Sequence, residues 1–192
     1  MFFFVAVSLH AQQKNIPIQI SLYNEATAIP FTKIITTPIH PGIQVGTEFT
    51  YKESEHFRLF QTVNLSYYFH AQLNHGISVN TELGGEYLTN SRFSYGALIG
   101  IGYLHTFATT KEYVFEDGHY TIATDKGNAR IAPSLSFDVN YQLNKIEPTS
   151  PKIFVRYQSW IEYPYSPGFI PLMSHINLHI GAKFNLPSNT GK

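Results

Sequence analysis

Apolar residues recur at every second position through most of this chain, and this period of two constrains the fold more than any other feature. Such alternation is typical of a β-strand with one apolar and one polar face, whereas an amphipathic helix repeats at about 3.6 residues. Eight segments show it: residues 16–24, 42–52, 57–70, 76–88, 93–107, 130–143, 152–163 and 174–186. The sequence therefore predicts an all-β protein.

The last of these segments shows how the two faces differ. Ile176, Leu178, Ile180 and Phe184 lie on one face, and His175, His179 and Lys183 lie on the other. Across the eight segments the polar face is glycine-rich and carries few charges, whereas a sheet that faces water spreads Lys and Glu over its surface. We therefore expect the apolar face to meet lipid. A soluble lipocalin-type barrel or a sandwich, with the apolar face inside, is the alternative.

The number and order of the segments predict how the sheet closes. Eight strands joined in order form an antiparallel meander whose first strand can pair with its last, which leaves no exposed edge. The connections are short at residues 53–55, 89–92 and 144–151, longer at 25–41, 109–129 and 164–172, and short again near 72–76. Short periplasmic turns and longer outer loops are typical of outer-membrane proteins. The prediction is an eight-stranded antiparallel up-and-down transmembrane β-barrel.

Composition is consistent with a lipid-facing wall. Charged residues make up 14% of the chain, against about 25% in typical soluble domains. Aromatic residues reach 15%, and many fall near the ends of the apolar faces, where a barrel wall crosses the membrane interfaces. The 13 acidic and 13 basic side chains leave no net charge to attract nucleic acid. No stretch approaches the roughly 20 apolar residues of a spanning helix.

The first residues resemble the end of a secretory signal peptide, with an apolar run followed by a small-residue cleavage site after Ala11. The basic segment that normally opens such a signal is missing, which indicates a late start codon or an atypical signal. We assign residues 1–11 to the signal and residues 12–192 to a single outer-membrane barrel domain. A short apolar first strand is the alternative interpretation of residues 1–11.

The polar faces carry roughly balanced opposite charges, which predicts an ionic network inside the barrel. Its predicted members are Glu48, Arg58, Glu82, Glu86, Asp138, Arg156 and Lys183. Glycines on the same faces leave room for large inward side chains such as Phe60, Tyr68 and Trp160. Because eight strands enclose only enough space for side chains, we expect no open pore.

The C-terminal segment carries a further motif. His179, Gly181, Phe184 and Leu186 resemble the C-terminal assembly signal of outer-membrane barrels, in which a polar residue and a glycine precede two alternating hydrophobic positions. Segments 37–53, 100–107 and 156–181 resemble a family of small, uncharacterised outer-membrane β-barrel proteins of the Bacteroidota. The likeness covers most of residues 30–186. It implies the fold and a location in the cell outer membrane, and no activity.

The expected partners follow from this location. They are outer-membrane lipid and lipopolysaccharide, the barrel-assembly machinery during insertion, and a protein partner at the extracellular loops. We expect a structural or binding role, no nucleic acid as a partner and no cofactor.

The histidines do not predict a metal site. His175 and His179 are four residues apart, which on a strand separates them by about 13 Å, too far to chelate one ion. His40, His70, His75 and His119 fall in or near predicted loops. Polar lining and loop histidines are the preferred interpretation, and we expect no metal.

Two other functions stay open on the sequence. One is a membrane-embedded lipid-modifying hydrolase resembling a lipid A deacylase, with Ser78 or Ser174 as the nucleophile and His70, His175 and Glu162 near the outer mouth. The other is a narrow pore or a carrier of a small ligand. The sequence supplies residue types for the first without their geometry.

Three connections have features of their own. Residues 109–129 look like two short strands joined at Asp117 and Gly118, and residues 162–173 contain three prolines that stiffen a loop. Residues 28–42 allow two interpretations: a loop folded over the mouth, or another strand that would change the count.

Overall fold

A computed structural model describes residues 15–111, 113–122, 124–144, 146–147, 149–166 and 168–187. The strands are β1 (Asn15–Thr27), β2 (His40–Glu53), β3 (Phe57–Phe69), β4 (Asn74–Leu88), β5 (Phe93–Ala108), β6 (Tyr113–Glu116), β7 (His119–Ile122), β8 (Asn128–Gln142), β9 (Lys152–Glu162) and β10 (Met173–Pro187). The predicted signal peptide lies outside the described residues. No helix in the described ranges is long and apolar enough to cross a membrane.

Eight strands close into one antiparallel barrel in the order β1-β10-β9-β8-β5-β4-β3-β2, and β6 and β7 form a separate hairpin. The barrel closes between β1 and β10, where the pairing runs from Asn15 opposite Pro187 to Thr27 opposite His175. Each predicted segment coincides with a barrel strand. The fold class and the predicted hairpin, which turns at Asp117 and Gly118, are therefore confirmed.

The two ends of the barrel differ in their connections. Residues 54–56, 89–92 and 143–151 form short connections at one end, which we call the turn end. Residues 28–39, 70–73, 109–127 and 163–172 lie at the other end, the loop end. In outer-membrane barrels the long loops face the cell exterior and the short turns face the periplasm, so we expect the loop end to face the exterior.

The side chains are arranged opposite to those of a soluble protein. Leu22 and Ile180 on the outer wall are 66% and 62% exposed, whereas Glu82 and Arg156 inside are 0% exposed. Exposed aromatic rings surround the turn end at Tyr51, Phe57, Tyr87, Phe93 and Tyr95. In water this arrangement would expose apolar surface and bury charge, so the outer wall faces lipid. The soluble alternative requires the reverse orientation and is wrong.

Residues 28–39 correct both sequence-based interpretations of that segment. They form neither a strand nor a cover over the mouth; the segment bends back along the outer wall. The Phe31 ring packs 5.3 Å from that of Tyr157 and 6.2 Å from that of Phe137, and the Phe31 N–H donates to the Tyr157 hydroxyl at 2.8 Å. Both contacts face outward, and Tyr157 lies in the middle of β9. We call residues 28–39 the wall loop.

The wall loop covers a patch that lipid would otherwise touch. On β1, the outward Asn24 side chain donates to the Thr36 carbonyl at 3.0 Å and accepts from the His40 N–H at 2.8 Å. On β10, Ile176 is only 2% exposed, although alternation places it outward. The prediction that Ile176 faces lipid is therefore wrong, because the folded-back segment lies over this part of the wall. Without the wall loop the Asn24 amide would face lipid, which offers no hydrogen-bond partners.

A fluorescence measurement tests the depth of the wall loop. Trp160 is the only tryptophan of the chain, so a Phe31→Trp, Trp160→Phe variant carries one reporter on the loop. Because Phe31 packs beside mid-strand Tyr157, we expect lipids brominated at upper acyl carbons to quench most of its emission in vesicles. The matched Tyr120→Trp reporter on the exposed hairpin should lose little emission. Equal, weak quenching of both reporters would contradict this position.

Candidate functional site

The turn-end half of the interior holds a connected set of ion pairs, which we call the lumen network. Its members are Glu48, Arg58, Glu82, Glu86, Asp138, Lys152, Arg156 and Lys183. All seven residues that the sequence suggested lie within it. Lys152 was missed; it begins β9, and its ammonium group lies 3.5 Å from Glu86. Its inward position follows from the alternation through Phe154 and Arg156.

Arg156 is the centre of this network. Its Nε and Nη2 atoms donate to the two carboxylate oxygens of Asp138 at 2.6 and 2.8 Å, and Nη1 donates to Glu82 at 3.0 Å. The other Glu82 oxygen accepts from the Ser136 hydroxyl at 2.6 Å and from the Gln158 amide at 3.2 Å. Bidentate pairing of this kind is strong and fixes the geometry of both partners.

A second ion-pair group lies closer to the turn end. Arg58 donates to Glu86 at 2.7 Å and to Glu48 at 3.0 Å, and Lys183 contacts the other Glu48 oxygen at 2.6 Å. Lys183 also lies 3.6 Å from Asp138, which connects the two groups. The four carboxylates of the lumen network thus face four basic groups, and the interior carries little net charge.

Aromatic side chains fill the lumen above the network, toward the loop end. Tyr23, Tyr68, Leu104 and Trp160 form one buried cluster, the aromatic plug. The indole of Trp160 stacks on His175 at 4.0 Å and donates to Asn177 at 3.1 Å. In the described residues, a cavity of about 30 Å³ remains within the plug, whereas a vestibule of about 530 Å³ opens at the turn end. The lumen is therefore filled between the vestibule and the outer mouth.

The outer mouth holds a chain of ionisable groups. His175 Nδ1 lies 2.7 Å from one oxygen of Glu25, and its Nε2 lies 3.3 Å from Glu162. Arg130 contacts Glu162 at 3.0 Å. The predicted inward positions of His175 and Glu162 agree with this geometry. Sequence reasoning missed Glu25, because it assigned that residue to the loop between the first two strands.

Two further histidines extend this chain to the rim. His40 stands directly opposite Glu25 in the pairing of β1 with β2, and its Nδ1 lies 3.6 Å from Glu25 Oε2. The rings of His40 and His70 have centroids 3.5 Å apart. Burial, together with the neighbouring His40 ring, lowers the pKa of His70, so its imidazole is neutral near pH 7.

The serines considered as nucleophiles are not paired with histidine in the described contacts. The Ser78 hydroxyl bonds to that of Ser66 at 2.6 Å, and the Ser174 hydroxyl donates to the Ala28 carbonyl at 3.0 Å. His175 contacts two carboxylates instead. A hydrolytic triad requires the histidine within hydrogen-bond reach of the nucleophile. The structure thus brings His175 and Glu162 together and leaves both serines with other partners.

The residues of the C-terminal motif lie on β10 and alternate between the two faces. Buried His179 points inward, where its Nδ1 lies 3.0 Å from the Ser21 hydroxyl and its ring stacks 4.5 Å from Tyr23. Gly181 lies where a Cβ would come within 2.6 Å of the Phe154 ring, so packing alone accounts for this glycine. Leu186 is exposed on the outer wall, and Phe184 is half-buried there.

The hairpin of β6 and β7 presents apolar side chains at the loop end. Phe115 and Tyr120 are 61% and 73% exposed, and their rings lie 5.1 Å apart. Tyr113 and Ile122 are exposed on the same hairpin. The hairpin lies in the long connection between β5 and β8, at the loop end of the barrel.

The closed barrel, its apolar outer wall and its charged interior define the class: this is a transmembrane β-barrel of the outer membrane. No protein-family model matches the chain, and no curated protein matches its sequence significantly.

Several solved structures share the fold. The outer membrane enzyme PagL has a TM-score of 0.50 at 9% identity, with 88% of this chain and 98% of that chain covered. Neisserial surface protein A has a TM-score of 0.51 at 10% identity, with 88% and 95% covered. The attachment invasion locus protein Ail of Yersinia pestis has a TM-score of 0.50 at 10% identity, with 90% and 97% covered. At these identities the likeness is one of architecture.

Proposed function

We propose that this protein is a non-porous outer-membrane barrel whose role is to bind a partner through its outer connections. The observation that carries the proposal is the contrast between a filled lumen and an apolar hairpin beyond it. The lumen network and the aromatic plug occupy the interior, which disfavours transport, whereas Phe115 and Tyr120 are exposed where a partner can reach them. Exposed aromatic side chains of this kind are typical of binding surfaces.

The proposal includes two classes of contact. The outer wall and the wall loop contact outer-membrane lipid and lipopolysaccharide, and a protein partner binds the hairpin of β6 and β7. We further propose that residues 1–11 direct export, that the barrel-assembly machinery recognises β10 during insertion, and that the chain belongs to the Bacteroidota family that it resembles.

Site-specific crosslinking tests the binding role. A photoreactive amino acid at Phe115 or Tyr120 should give a discrete protein adduct in intact cells. The matched control is Tyr95, which is also exposed but lies on the wall near the turn end, and it should give lipid adducts alone. Absence of a protein adduct at both hairpin positions, with the barrel folded, would refute the binding role.

Conductance separates this proposal from the pore alternative. In planar bilayers the protein should show no steady channels, because the 30 Å³ cavity of the plug cannot hold a continuous water column. Stable unitary conductance would favour the pore. The hydrolase alternative has no support from Ser78 and Ser174, because their hydroxyls bond to groups other than histidine. Unchanged lipid A acylation on expression of the protein would argue against this alternative.

A further inference from the structure

The rim of the barrel places three metal-binding side chains together. Glu25 on β1, His40 on β2 and His70 after β3 lie at the loop end of three neighbouring strands. Each histidine offers one ring nitrogen and Glu25 one carboxylate oxygen, and these three atoms lie within 4.8 Å of one another. The strand pairing explains the grouping. Glu25 is opposite His40, and because Gly42 pairs with Tyr68 in antiparallel register, His40 lies close to His70.

One atom of this group has no hydrogen-bond partner. Glu25 is 0% exposed; its Oε1 atom bonds to His175, but its Oε2 atom has no hydrogen bond among the described residues. Burying an unpaired carboxylate oxygen is costly unless a cation or a donor satisfies it. The closest cationic candidate is His40 Nδ1 at 3.6 Å, beyond hydrogen-bond range. The Oε2 atom is therefore directed at His40 without a satisfying contact, within the group that His70 completes.

We propose that Glu25, His40 and His70 bind a divalent transition-metal ion of the zinc class. Two imidazoles and one carboxylate suit Zn²⁺ or Cu²⁺, whereas Ca²⁺ requires six to eight oxygen ligands. Three protein ligands leave a fourth position for water or for a group from outside the cell, because His40 and His70 are only half-buried.

The required movements are within the reach of side-chain rotation. Tetrahedral zinc with bonds of about 2.0–2.2 Å holds its ligand atoms about 3.4 Å apart. Because the three atoms lie within 4.8 Å of one another, they need to approach by up to about 1.4 Å. His175 holds Glu25 in place, and the two rim histidines can rotate toward it. His40 is oriented by the neighbouring strand β1: its Nδ1 lies 3.1 Å from the Glu25 carbonyl oxygen, the kind of second contact that ligand histidines make. Among the described residues, the Gln72 N–H donates to His70 Nδ1 over a long 3.4 Å, and this weak hydrogen bond competes little with a metal ion.

Metal titration of the folded barrel tests the site. The protein is prepared without an affinity tag, folded in detergent, stripped with a chelator and titrated calorimetrically with Zn²⁺. We expect one equivalent to bind, and we expect His40→Gln and His70→Gln each to weaken binding by at least about tenfold, the lower end of what even an outer partner of a ligand contributes. X-ray absorption spectroscopy at the zinc edge should show two imidazole ligands on the bound ion.

Two control variants separate this site from adventitious binding. His56→Gln in a turn and His119→Gln in the hairpin remove histidines outside the cluster, and both should bind zinc as the unsubstituted protein does. All four variants should keep the heat-modifiable migration of a folded barrel. Unchanged affinity in His40→Gln and His70→Gln, or equally strong zinc binding in a double variant that carries both substitutions, would overturn the proposal. Neither result depends on the protein partner of the hairpin.

Discussion

Replacement of Arg156 by methionine is expected to lower the free energy of unfolding by about 3–5 kcal/mol, the usual cost of removing one member of a buried ion pair. The guanidinium is fully buried and donates three hydrogen bonds to Asp138 and Glu82. Without it, Asp138 keeps only the 3.6 Å contact with Lys183 as an ion pair. Urea titration in lipid vesicles, followed by heat-modifiable migration, measures the loss.

Two further variants show whether the loss comes from unpaired charge. Arg92→Met removes an arginine from an exposed turn, and its effect should stay within about 0.5 kcal/mol. Adding Glu82→Gln and Asp138→Asn to Arg156→Met should recover most of the stability, because neutral side chains no longer need the cation. A single Arg156→Met variant as stable as the unsubstituted protein would mean that water reaches this part of the lumen.

Truncation of Trp160 to alanine is expected to cost about 3–5 kcal/mol as well, through lost packing. The indole is buried, stacks on His175 and donates to Asn177, so its removal leaves a cavity and an unpaired amide oxygen. The same urea titration measures the effect. Trp160→Phe retains most of the ring volume and should lose clearly less.

The Trp160→Ala variant also shows whether the aromatic plug or the lumen network blocks conduction through the lumen. Truncating Trp160 enlarges the space within the plug, but the lumen network below it stays intact. We therefore expect Trp160→Ala to remain non-conducting in planar bilayers. Steady conductance in this variant would show that the plug is the sole barrier.

The alternation of side chains carries most of what the sequence reveals about this fold. It predicts all eight barrel strands, and it places Glu82 and Arg156 on inward faces because each face of a strand is set by local periodicity. The hairpin at Asp117 and Gly118 is also a local signal, since both residues adopt positive φ in the structure.

The sequence does not predict features of the fold that depend on contacts between distant segments. The wall loop buries Ile176 from outside, and nothing in residues 174–186 indicates this. Glu25 and His40 become neighbours only through the pairing of β1 with β2. Glu25 lies just beyond residues 16–24, the segment that the alternation predicts for the first strand. The path of an irregular loop is set by three-dimensional packing, and the period-two alternation does not encode it.

The seam between β1 and β10 has a consequence for the order of assembly. Glu25 and His175 are 150 positions apart in the chain, and their side chains meet only across this seam. Arg156 and Glu82 are 74 positions apart and likewise need strands from both halves of the sequence. Contacts of such long range form after large loops have closed. An incompletely closed barrel therefore leaves Glu25 and His175 without each other, so the polar contacts across the seam form only when the ring closes.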